Sequence, residues 1–359
     1  MRYEQVVIVG GGPSGAYCAT ELARKGIYAT ILDHSHPREK PCGGGISSVA
    51  LSKFQFLEKF RSKGCSNTVF EIISCTNKRM AKEPGSGFNI SRRYLDEELL
   101  KTAIRNGATL IKEKVNGIER QQSLWRIKTS KQTLSAGILV GADGVNSIVR
   151  RKAAGDIAPE NLGLTYGYLA RRIYETQTMV KFLYNIPGYI WVFPRGNHTS
   201  IGVISEVKYG RFLKPMLDDF FHSRFPDAEV LSNFAAMLPF AKDPKFFEKP
   251  CAGENWLLIG DSAGHTDPLT GEGILYALWS GKLAASAIAR NDLKIYDELW
   301  RENYGRYLMK RCSQKNVFYN PLMVELSVMQ QSICSKLRAR CHLNGGIGIN
   351  SNPKPKTRF

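Results

Sequence analysis

A glycine-rich turn between a short strand and a helix constrains the fold of this chain most strongly. Residues 5–9 (QVVIV) predict a buried strand, residues 16–25 predict a helix, and the following IYATILD predicts a second buried strand. The turn carries the pattern G-x-G-x-x-G at Gly10, Gly12 and Gly15. In such a turn the first glycine permits the bend, the second admits a pyrophosphate, and the third lets helix and strand pack closely. Asp33 ends the unit and can accept hydrogen bonds from ribose hydroxyls, so the segment predicts a dinucleotide site.

The composition is ordinary for a globular enzyme. The 359 residues fit one large domain or two closely joined ones. No apolar run is long enough for a membrane-spanning helix, and the first apolar run is too short for a secretory signal. The eight cysteines are scattered without a CxxC pair, which predicts a reducing, cytoplasmic compartment and no metal site.

The charge is strongly basic, with 50 Lys and Arg against 32 Asp and Glu and a formal net charge of +18. Such a charge favours nucleic acid, an anionic membrane surface or a phosphorylated substrate as the partner. No nucleic-acid-binding motif accompanies it, so we expect no nucleic-acid partner. The charge alone does not choose between the other two, and solubility accounts for it equally well.

The order of the patterns predicts a mixed α/β fold in which two sheet systems interleave. A helix over residues 94–106, with Ser91 as its N-cap, precedes a buried strand at 136–141 that returns the chain to the first sheet. We expect a discontinuous, Rossmann-like nucleotide-binding domain with an inserted β-rich substrate domain. The expected boundaries are 1–64, 91–160 and 251–300 for the first domain, 65–90 and 161–250 for the second, 301–344 for C-terminal helices and 345–359 for a disordered basic tail.

Three motifs in order, GGGPSG (10–15), GADGVNSIVRR (141–151) and GDSAGHTDPLTGEGI (260–274), resemble FAD-dependent oxidoreductases with the para-hydroxybenzoate hydroxylase fold. The resemblance implies that the first motif holds the ADP part of FAD and that Asp143 lies where FAD and pyridine nucleotide meet. It also places Asp261 on the ribityl chain. A strand that delivers Asp261 to a glycine-rich helix entry, with Gly271 and Gly273, suits ribityl hydroxyls and flavin carbonyls.

Two of these assignments have structural alternatives. Asp143 precedes a glycine and can be an ordinary turn residue. SRRYLDEELL resembles the helix in which the family carries R-x-x-[FL]-D, and this implies that Arg92 contacts the cofactor or a phosphate. The alternative for Arg92 is a solvated helix face.

Two further segments, KPCGGGIS (40–47) and YIWVFPRGNHTSIG (189–202), resemble the geranylgeranyl reductases within this group. Strand alternation puts Tyr189, Trp191 and Phe193 on one face, where they can line a slot for a polyisoprenoid chain. Tyr189 and Trp191 are the candidate catalytic residues among them. The alternative is that these aromatic residues fill a core behind the sheet. Flavin halogenases carry W-x-W-x-I-P at this place, so halogenation is disfavoured.

The cysteine and glycines of KPCGGGIS are expected beside the flavin. Gly43 and Gly44 would let the backbone pass close to the isoalloxazine ring, as the resemblance implies, and Cys42 would face its reacting side. Cys42 is then a candidate proton donor or redox-sensitive neighbour. The alternative is a small buried residue that only packs.

The resemblance implies an FAD-dependent reductase that saturates C=C bonds of a prenyl chain, with NADPH or a ferredoxin as electron donor. The substrate would be a prenyl-bearing lipid or isoprenoid. The alternatives are an aromatic hydroxylase of the same fold and a non-catalytic basic flavoprotein.

Near the C-terminus, residues 321–337 predict a helix with Asn320 as its N-cap. It carries an apolar stripe at Leu322, Leu326, Met329, Ile333 and Leu337. Packing on the enzyme is the first expected use of this stripe. With Lys336, Arg338, Arg340 and the basic tail, it could instead contact an anionic membrane surface.

Overall fold

The computed structural model describes the backbone of residues 2–344 and the side chains of residues 5–335, and within them the chain forms three β-sheets surrounded by helices. The strands are β1 (Arg2–Val9), β2 (Thr30–Leu32), β3 (Gly45–Ile46), β4 (Cys65–Ser66), β5 (Val69–Ile73), β6 (Met80–Pro84), β7 (Phe88–Asn89), β8 (Thr109–Ile111), β9 (Val115–Gln121), β10 (Leu124–Thr129), β11 (Thr133–Gly141), β12 (Leu162–Arg171), β13 (Thr178–Phe182), β14 (Gly188–Pro194), β15 (Thr199–Glu206), β16 (Glu229–Pro239) and β17 (Trp256–Leu258). The α-helices are α1 (Pro13–Ala23), α2 (Ser48–Lys53), α3 (Arg92–Arg105), α4 (Ile148–Ala153), α5 (Gly210–Arg224), α6 (Ile274–Ala289), α7 (Ile295–Trp300), α8 (Arg306–Ser313), α9 (Lys315–Phe318) and α10 (Pro321–Asn344).

The first sheet is built around β11. Its order is β8-β2-β1-β11-β10-β9, and β17 pairs with the last residues of β11. The strands β8, β2, β1, β11 and β17 run parallel, whereas β9 and β10 are antiparallel. The register sets Val9 opposite Gly141 and Gly141 opposite Leu258, so the carboxyl ends of three parallel strands reach one level. The predicted mixed α/β, Rossmann-like class is confirmed, while the exact domain boundaries stay a prediction.

Helix α1 connects β1 to β2 and packs against α3 and α6. It begins at Pro13, earlier than predicted, because proline is favoured in the first turn of a helix. The contact with α6 is close, since a Cβ on Gly281 would lie 2.6 Å from the carbonyl oxygen of Ser14. This packing fixes the glycine turn against the first sheet.

The second sheet has the order β16-β12-β15-β14-β13-β5-β6 and is antiparallel except between β13 and β5. One face packs on α5 through a buried core that includes Ile190, Val192 and Leu213. The opposite face carries Trp191 and Ile204 and lies across from the carboxyl ends of the first sheet. Successive side chains of a strand point to opposite faces of the sheet, so these two sets of side chains lie on opposite faces.

The small third sheet, β3-β7-β4, leads into α3. The hydroxyl of Ser91 accepts a hydrogen bond from the N–H of Tyr94 at 3.4 Å, which confirms Ser91 as the N-cap. Because α3 begins at Arg92, the side chains of Arg92 and Asp96 lie one turn apart on the same face.

Helix α10 covers the end of the second sheet. The side chain of Asn320 accepts a hydrogen bond from the N–H of Leu322 at 3.0 Å, as an N-cap does. The helix packs on β6 through Val324 and Val328, which are 4% and 2% exposed. Glu325 accepts a hydrogen bond from the N–H of Thr76 at 3.1 Å.

The predicted apolar stripe therefore does not make this contact. Leu322, Leu326 and Ile333 are 66%, 45% and 51% exposed, so they point away from β6. For these three residues the expectation that the stripe packs on the enzyme is wrong, because the valines of a neighbouring helix face pack there instead, while Met329 is half-buried. The side chains of Lys336, Leu337, Arg338 and Arg340, and the predicted disordered tail at 345–359, lie outside the described residues. Among residues 2–344, no helix combines the length and apolar character that crossing a bilayer requires.

We predict that Val328→Asp releases α10 from β6, because it buries an unpaired carboxylate at the contact. Limited proteolysis should then cut the chain near residues 319–321 at least several-fold faster than in the parent protein. Leu326→Asp introduces the same side chain on the exposed face and is expected to leave the cleavage rate unchanged. Equal cleavage of the two variants would show that this contact does not hold α10.

Candidate active site

The carboxyl ends of the parallel strands face the second sheet across a cavity of about 1320 Å³. Three carboxylates follow these strands in the chain: Asp33 after β2, Asp143 after β11 and Asp261 after β17. All three line the cavity. Open parallel sheets bind their ligands at this edge. The structure also brings other predicted site residues to the cavity wall, namely Gly10, Gly12, Cys42, Gly43, Gly44, Arg92, Tyr189, Trp191, Gly271 and Gly273.

The glycine turn after β1 leaves no room for side chains at two positions. Gly10 has a φ of +107°, and a Cβ there would overlap the carbonyl oxygen of Ala142. A Cβ on Gly15 would overlap the carbonyl oxygen of Gly10 and push α1 away from β1. Gly12 borders the cavity and precedes α1 without providing a side-chain cap. The first N–H groups of α1 are therefore available to an anion in the cavity.

Asp33 is engaged by its own chain. One carboxylate oxygen accepts from the N–H of Gly11 at 2.6 Å and lies 2.8 Å from Nδ1 of His36. The other accepts from the N–H of Ser35 at 2.6 Å and that of His36 at 2.7 Å. A carboxylate offers about four acceptor positions, and these donors occupy them. Asp33 thus orders the turn after β2, and its contact with ribose hydroxyls stays a prediction.

Arg92 forms a buried ion pair within α3. Its Nε and Nη2 atoms donate to the two carboxylate oxygens of Asp96 at 2.9 and 2.8 Å. The side chains of Arg92 and Asp96 are 3% and 0% exposed. The alternative that places Arg92 on a solvated helix face is therefore wrong. Arg92 also lines the cavity, and its contact with the cofactor stays a prediction.

Arg195, which directly follows β14, holds residues 42–44, here called the Cys42 turn. The guanidinium donates to the carbonyl oxygen of Cys42 and to that of Gly43, the latter at 2.9 Å. It also pairs with Glu39 at 2.5 Å, and the Arg195 side chain is 0% exposed. The second sheet thereby fixes the backbone of the Cys42 turn.

The glycines of the Cys42 turn are required by packing. A Cβ on Gly43 would lie 2.6 Å from the ring of Phe193. Gly44 has a φ of +75°, and a Cβ there would overlap the carbonyl oxygen of Ile90. A turn built from other residues could not lie this close to β14 while bordering the cavity.

The thiol of Cys42 lies in a positively charged environment. Its Sγ accepts a hydrogen bond from the N–H of Gly44 at 3.3 Å. Burial raises the pKa of Cys42, but the charges of Arg92, Arg195 and Lys40 outweigh that effect, so its net pKa is lowered. Nearby cations favour the thiolate, which makes this thiol a better proton donor and a more reactive group than an ordinary cysteine.

Asp261 is paired across the cavity with Lys40. The distance from Nζ of Lys40 to Oδ2 of Asp261 is 2.9 Å. Burial raises the pKa of Asp261, but the charge and hydrogen bond of Lys40 outweigh it and the net pKa is lowered. A Cβ on Gly273 would lie 3.3 Å from Oδ1 of Asp261, so a ligand can approach the carboxylate along the backbone. Gly271, with a φ of +67°, forms the turn that leads there.

Asp143 caps α4. It accepts hydrogen bonds from the hydroxyl of Ser147 at 2.5 Å and from the N–H of Ile148 at 2.8 Å. Burial raises the pKa of Asp143 and outweighs these hydrogen bonds. These contacts are those of a turn and cap residue, while a role at the meeting point of FAD and pyridine nucleotide stays a prediction.

Tyr189, Trp191 and Phe193 share one face of β14 and line the cavity, as their spacing predicts. These rings do not fill the core behind the sheet, which was the alternative. Ile190 and Val192 are the β14 residues that fill this core. The indole of Trp191 lies across Gly202 of β15, where a Cβ would overlap the ring.

A hydrogen-bonded link joins this aromatic face to the Cys42 turn. Nε1 of Trp191 donates to the hydroxyl of Ser200 at 3.2 Å, and that hydroxyl donates to the carbonyl of Cys42 at 2.9 Å. The hydroxyl of Tyr189 donates to the carbonyl of Thr270, and its pKa is raised by burial. Tyr189 is thus held as a neutral phenol.

From the aromatic face the cavity continues along a largely apolar wall to the C-terminal helices. That wall is formed by Phe70, Ile72, Val180, Phe182, Leu269, Phe318, Met323, Val324 and Val328. The ring of Phe182 lies 5.6 Å from that of Phe318 and 6.1 Å from that of Tyr319, between ring centroids. Such a wall excludes water along the length of an apolar ligand.

Sequence reasoning missed the polar residues that hold this site together. They are His36, Glu39, Lys40, Arg195 and Ser200. Periodicity alone assigns single polar residues to the protein surface. A partial signal was present, since Arg195 and Ser200 fall inside the aromatic motif at 189–202.

The cavity fits FAD in its several parts. The uncapped start of α1 suits a diphosphate, and the carboxylate of Asp261 beside Gly273 suits polyol hydroxyls. The backbone of the Cys42 turn borders the cavity, where a flat ring can approach it.

Comparison with known proteins agrees with this geometry. Residues 3–167 match the family model described as FAD binding domain. An uncharacterized protein of Methanosarcina barkeri is 31% identical over 313 residues, which cover 80% of this chain and 75% of the relative. A protein of Methanococcoides burtonii named digeranylgeranylglycerophospholipid reductase 1 is 27% identical, covering 91% of this chain and 87% of the relative.

The fold agrees with a solved structure as well. A geranylgeranyl bacteriochlorophyll reductase-like protein from Thermoplasma acidophilum superposes with a TM-score of 0.82 at 23% identity. The match covers 95% of this chain and 96% of that protein. With the glycine fingerprint, the cysteine turn and the aromatic strand assembled around one cavity, the chain belongs to the geranylgeranyl reductase family of FAD-dependent oxidoreductases.

Proposed function

We propose that this protein saturates C=C bonds of a geranylgeranyl-type prenyl chain with FAD as its cofactor. The observation that carries the proposal is one cavity that connects the Cys42 turn to a long apolar wall ending at α10. A prenyl chain has no polar group along its length, and an aliphatic and aromatic wall binds it by burial of apolar surface. Trp191 then sets the height of the slot beside the Cys42 turn.

Each group of predicted cofactor-binding residues binds a different part of FAD. The turn of Gly10, Gly12 and Gly15 brings the diphosphate to the start of α1, and Asp33 lies toward the ribose. Asp261 with Gly271 and Gly273 binds the ribityl chain. The remaining contacts come from Arg92, Asp143, Cys42, Gly43 and Gly44.

Reduced FAD, when bound, supplies a hydride to one carbon of the double bond. The other carbon requires a proton, and the thiol of Cys42 is the donor in this proposal. The thiolate that remains is stabilised by Arg92 and Arg195 and regains its proton from water. Tyr189 is assigned a positioning role and not a proton-donating one, because its phenol is hydrogen-bonded to Thr270 and has a raised pKa. Trp191 also positions the chain. One reduced bond thus gains a hydride and a proton.

The electron donor is NADPH or a ferredoxin. The sequence carries a single dinucleotide fingerprint, which FAD occupies, so the donor binds transiently. The name of the Methanococcoides burtonii relative describes reduction of a lipid with two geranylgeranyl chains, and this supports a prenyl lipid as the substrate class.

The exposed stripe of α10, defined by Leu322, Leu326 and Ile333, is the proposed contact with an anionic membrane surface. It lies on the helix whose Met323 and Val328 line the cavity. A prenyl lipid could pass from the bilayer into the cavity beside this helix. The formal charge of +18 favours the approach to anionic lipid.

We predict that the flavin of dithionite-reduced enzyme is reoxidised anaerobically by a geranylgeranyl-bearing lipid. The product should gain two hydrogens per reduced bond, as measured by mass spectrometry. The decisive contrary result is a flavin that no prenyl substrate reoxidises while an aromatic substrate gains oxygen in air, since this identifies a hydroxylase. Absence of turnover with prenyl and aromatic substrates alike would identify a non-catalytic flavoprotein.

We predict that Cys42→Ala slows alkene reduction by about 10²-fold or more while FAD stays bound, because a positioned acid contributes about 10² to 10⁴ in rate. In the parent enzyme the rate should fall as pH rises through the lowered pKa of the thiol, since the proton donor is then lost. Cys251→Ala, at a buried cysteine outside the cavity lining, is the matched control. Unchanged turnover in Cys42→Ala leaves Cys42 a packing residue.

The lowered pKa of Cys42 can be measured without substrate. We predict that iodoacetamide alkylates Cys42 at lower pH than Cys65, because burial raises the pKa of Cys65 whereas cations lower that of Cys42. Peptide mapping after timed alkylation gives both profiles from one sample. A Cys42 profile at or above that of Cys65 contradicts the assigned charge environment.

We predict that Leu322→Asp/Leu326→Asp lowers binding to phosphatidylglycerol vesicles at low salt by at least about tenfold, since each leucine contributes roughly 1.5 to 3 kcal/mol when buried. Val230→Asp/Leu231→Asp on β16 adds the same charge at residues that are 45% and 41% exposed. That control should bind like the parent in co-sedimentation. Equal loss in both variants would show that net charge alone governs the contact.

A further inference from the structure

We propose that His36 is a cofactor-binding residue whose ring contacts the diphosphate of FAD beside the glycine turn. This inference rests on FAD as the cofactor and does not depend on the identity of the substrate. His36 lies outside the fingerprint motif, three residues after Asp33, and it lines the cavity. Its side chain is 10% exposed.

The ring of His36 packs at the position where the fingerprint admits a diphosphate. A Cβ placed on Gly12 would lie 3.6 Å from Nε2 and 3.7 Å from Cε1 of His36. Gly12 is the second glycine of the pattern, whose lack of a side chain lets a pyrophosphate approach the backbone. The edge of the imidazole therefore borders the same space as the uncapped start of α1.

Two carboxylates hold the ring in place. Nδ1 lies 2.8 Å from Oδ2 of Asp33, and Nε2 lies 3.5 Å from Oδ2 of Asp96. The first distance is that of a good hydrogen bond, whereas the second is at its outer limit. Asp96 is already satisfied by both guanidinium donors of Arg92, so the proton on Nε2 can serve a better acceptor.

Protonation of His36 balances the charges of the two carboxylates and Arg92 in this cluster. Asp33 and Asp96 contribute two negative charges, and Arg92 supplies one positive charge. Buried charges without partners are costly, so the second positive charge is stabilised on His36. Burial lowers the pKa of His36, but the hydrogen bonds and charges of Asp33 and Asp96 outweigh it, and the net pKa is raised.

The elements around His36 present charges of both signs, and the effect of the two carboxylates prevails. The turn after β2 presents Asp33, α3 presents Asp96 and Arg92, and the glycine turn presents backbone N–H groups. An arriving diphosphate adds negative charge and raises the pKa of His36 further. FAD consequently binds most tightly below the His36 pKa of the FAD-free protein. Affinity then falls by at most about tenfold per pH unit as pH rises between the free and bound pKa values.

The test is an equilibrium titration of the full chain, after removal of FAD, with FAD and with ADP from about pH 6 to pH 9, where a histidine of raised pKa titrates. The parent protein should lose affinity for both ligands as pH rises. His36→Gln should bind both at least about tenfold more weakly at the lower end and show a flat profile, because a neutral amide cannot gain the charge. His34→Gln, at a neighbouring histidine that also lines the cavity, should keep the parent slope.

Adenosine is the probe that separates a diphosphate contact from a purely structural role. It occupies the same end of the site without a phosphate, so His36→Gln should leave its affinity unchanged. A variant that loses adenosine as strongly as ADP would show that His36 acts only by ordering Asp33, and this would overturn the proposal.

Cys42 also titrates near this cavity because its pKa is lowered. Cys42→Ser is therefore titrated in parallel with ADP, which lacks the flavin that the Cys42 turn is proposed to contact, and should retain the slope. A slope that disappears in Cys42→Ser and persists in His36→Gln assigns the titration to the thiol and refutes the role of His36. None of these measurements uses a prenyl substrate, so their outcome is distinguishable from failure of the proposed reductase activity.

Discussion

The buried guanidinium of Arg195 is the interaction on which the site depends. A tight turn leaves backbone carbonyls without partners, and Arg195 satisfies those of Cys42 and Gly43. Its charge is balanced by Glu39, whose carboxylate also accepts from the hydroxyl of Ser91 and the N–H of Arg92. One ion pair thus ties β14, the Cys42 turn and the start of α3 together. The two sheets meet in a fixed relation because these groups cannot be left unpaired in the interior.

Part of the chain's positive charge is concentrated at this site. Lys40, Arg92 and Arg195 converge near Cys42, and each is paired with a carboxylate. The partners of Lys40 and Arg195, Asp261 and Glu39, come from distant parts of the chain, whereas Asp96 lies on the same helix as Arg92. These cations are not spread over the solvated surface as the overall charge suggests. They create a region in which anionic forms are favoured, both of the thiol and of a phosphorylated ligand.

The fold and the main lines of the site could be predicted from sequence, whereas the contacts that hold the site could not. The glycine turn at 10–15 and the aromatic alternation at 189–193 follow from local steric rules, and both are confirmed. The pairing of Arg195 with Glu39 joins residues far apart in the chain, so no local pattern reveals it. The same holds for Val324 and Val328: periodicity identified an apolar stripe on α10, but only the position of β6 decides which face is buried.

Because α10 is attached to β6, the two ends of the cavity are formed by different parts of the chain. The end of the cavity near the glycine turn and the Cys42 turn belongs to strands and loops of the two large sheets. The far end belongs to α10, through Met323, Val324 and Val328. The dimensions of the apolar end of the cavity therefore depend on the last described helix, apart from the Cys42 turn. Repacking of this one helix can therefore change the apolar end of the cavity while the end at the Cys42 turn is left intact.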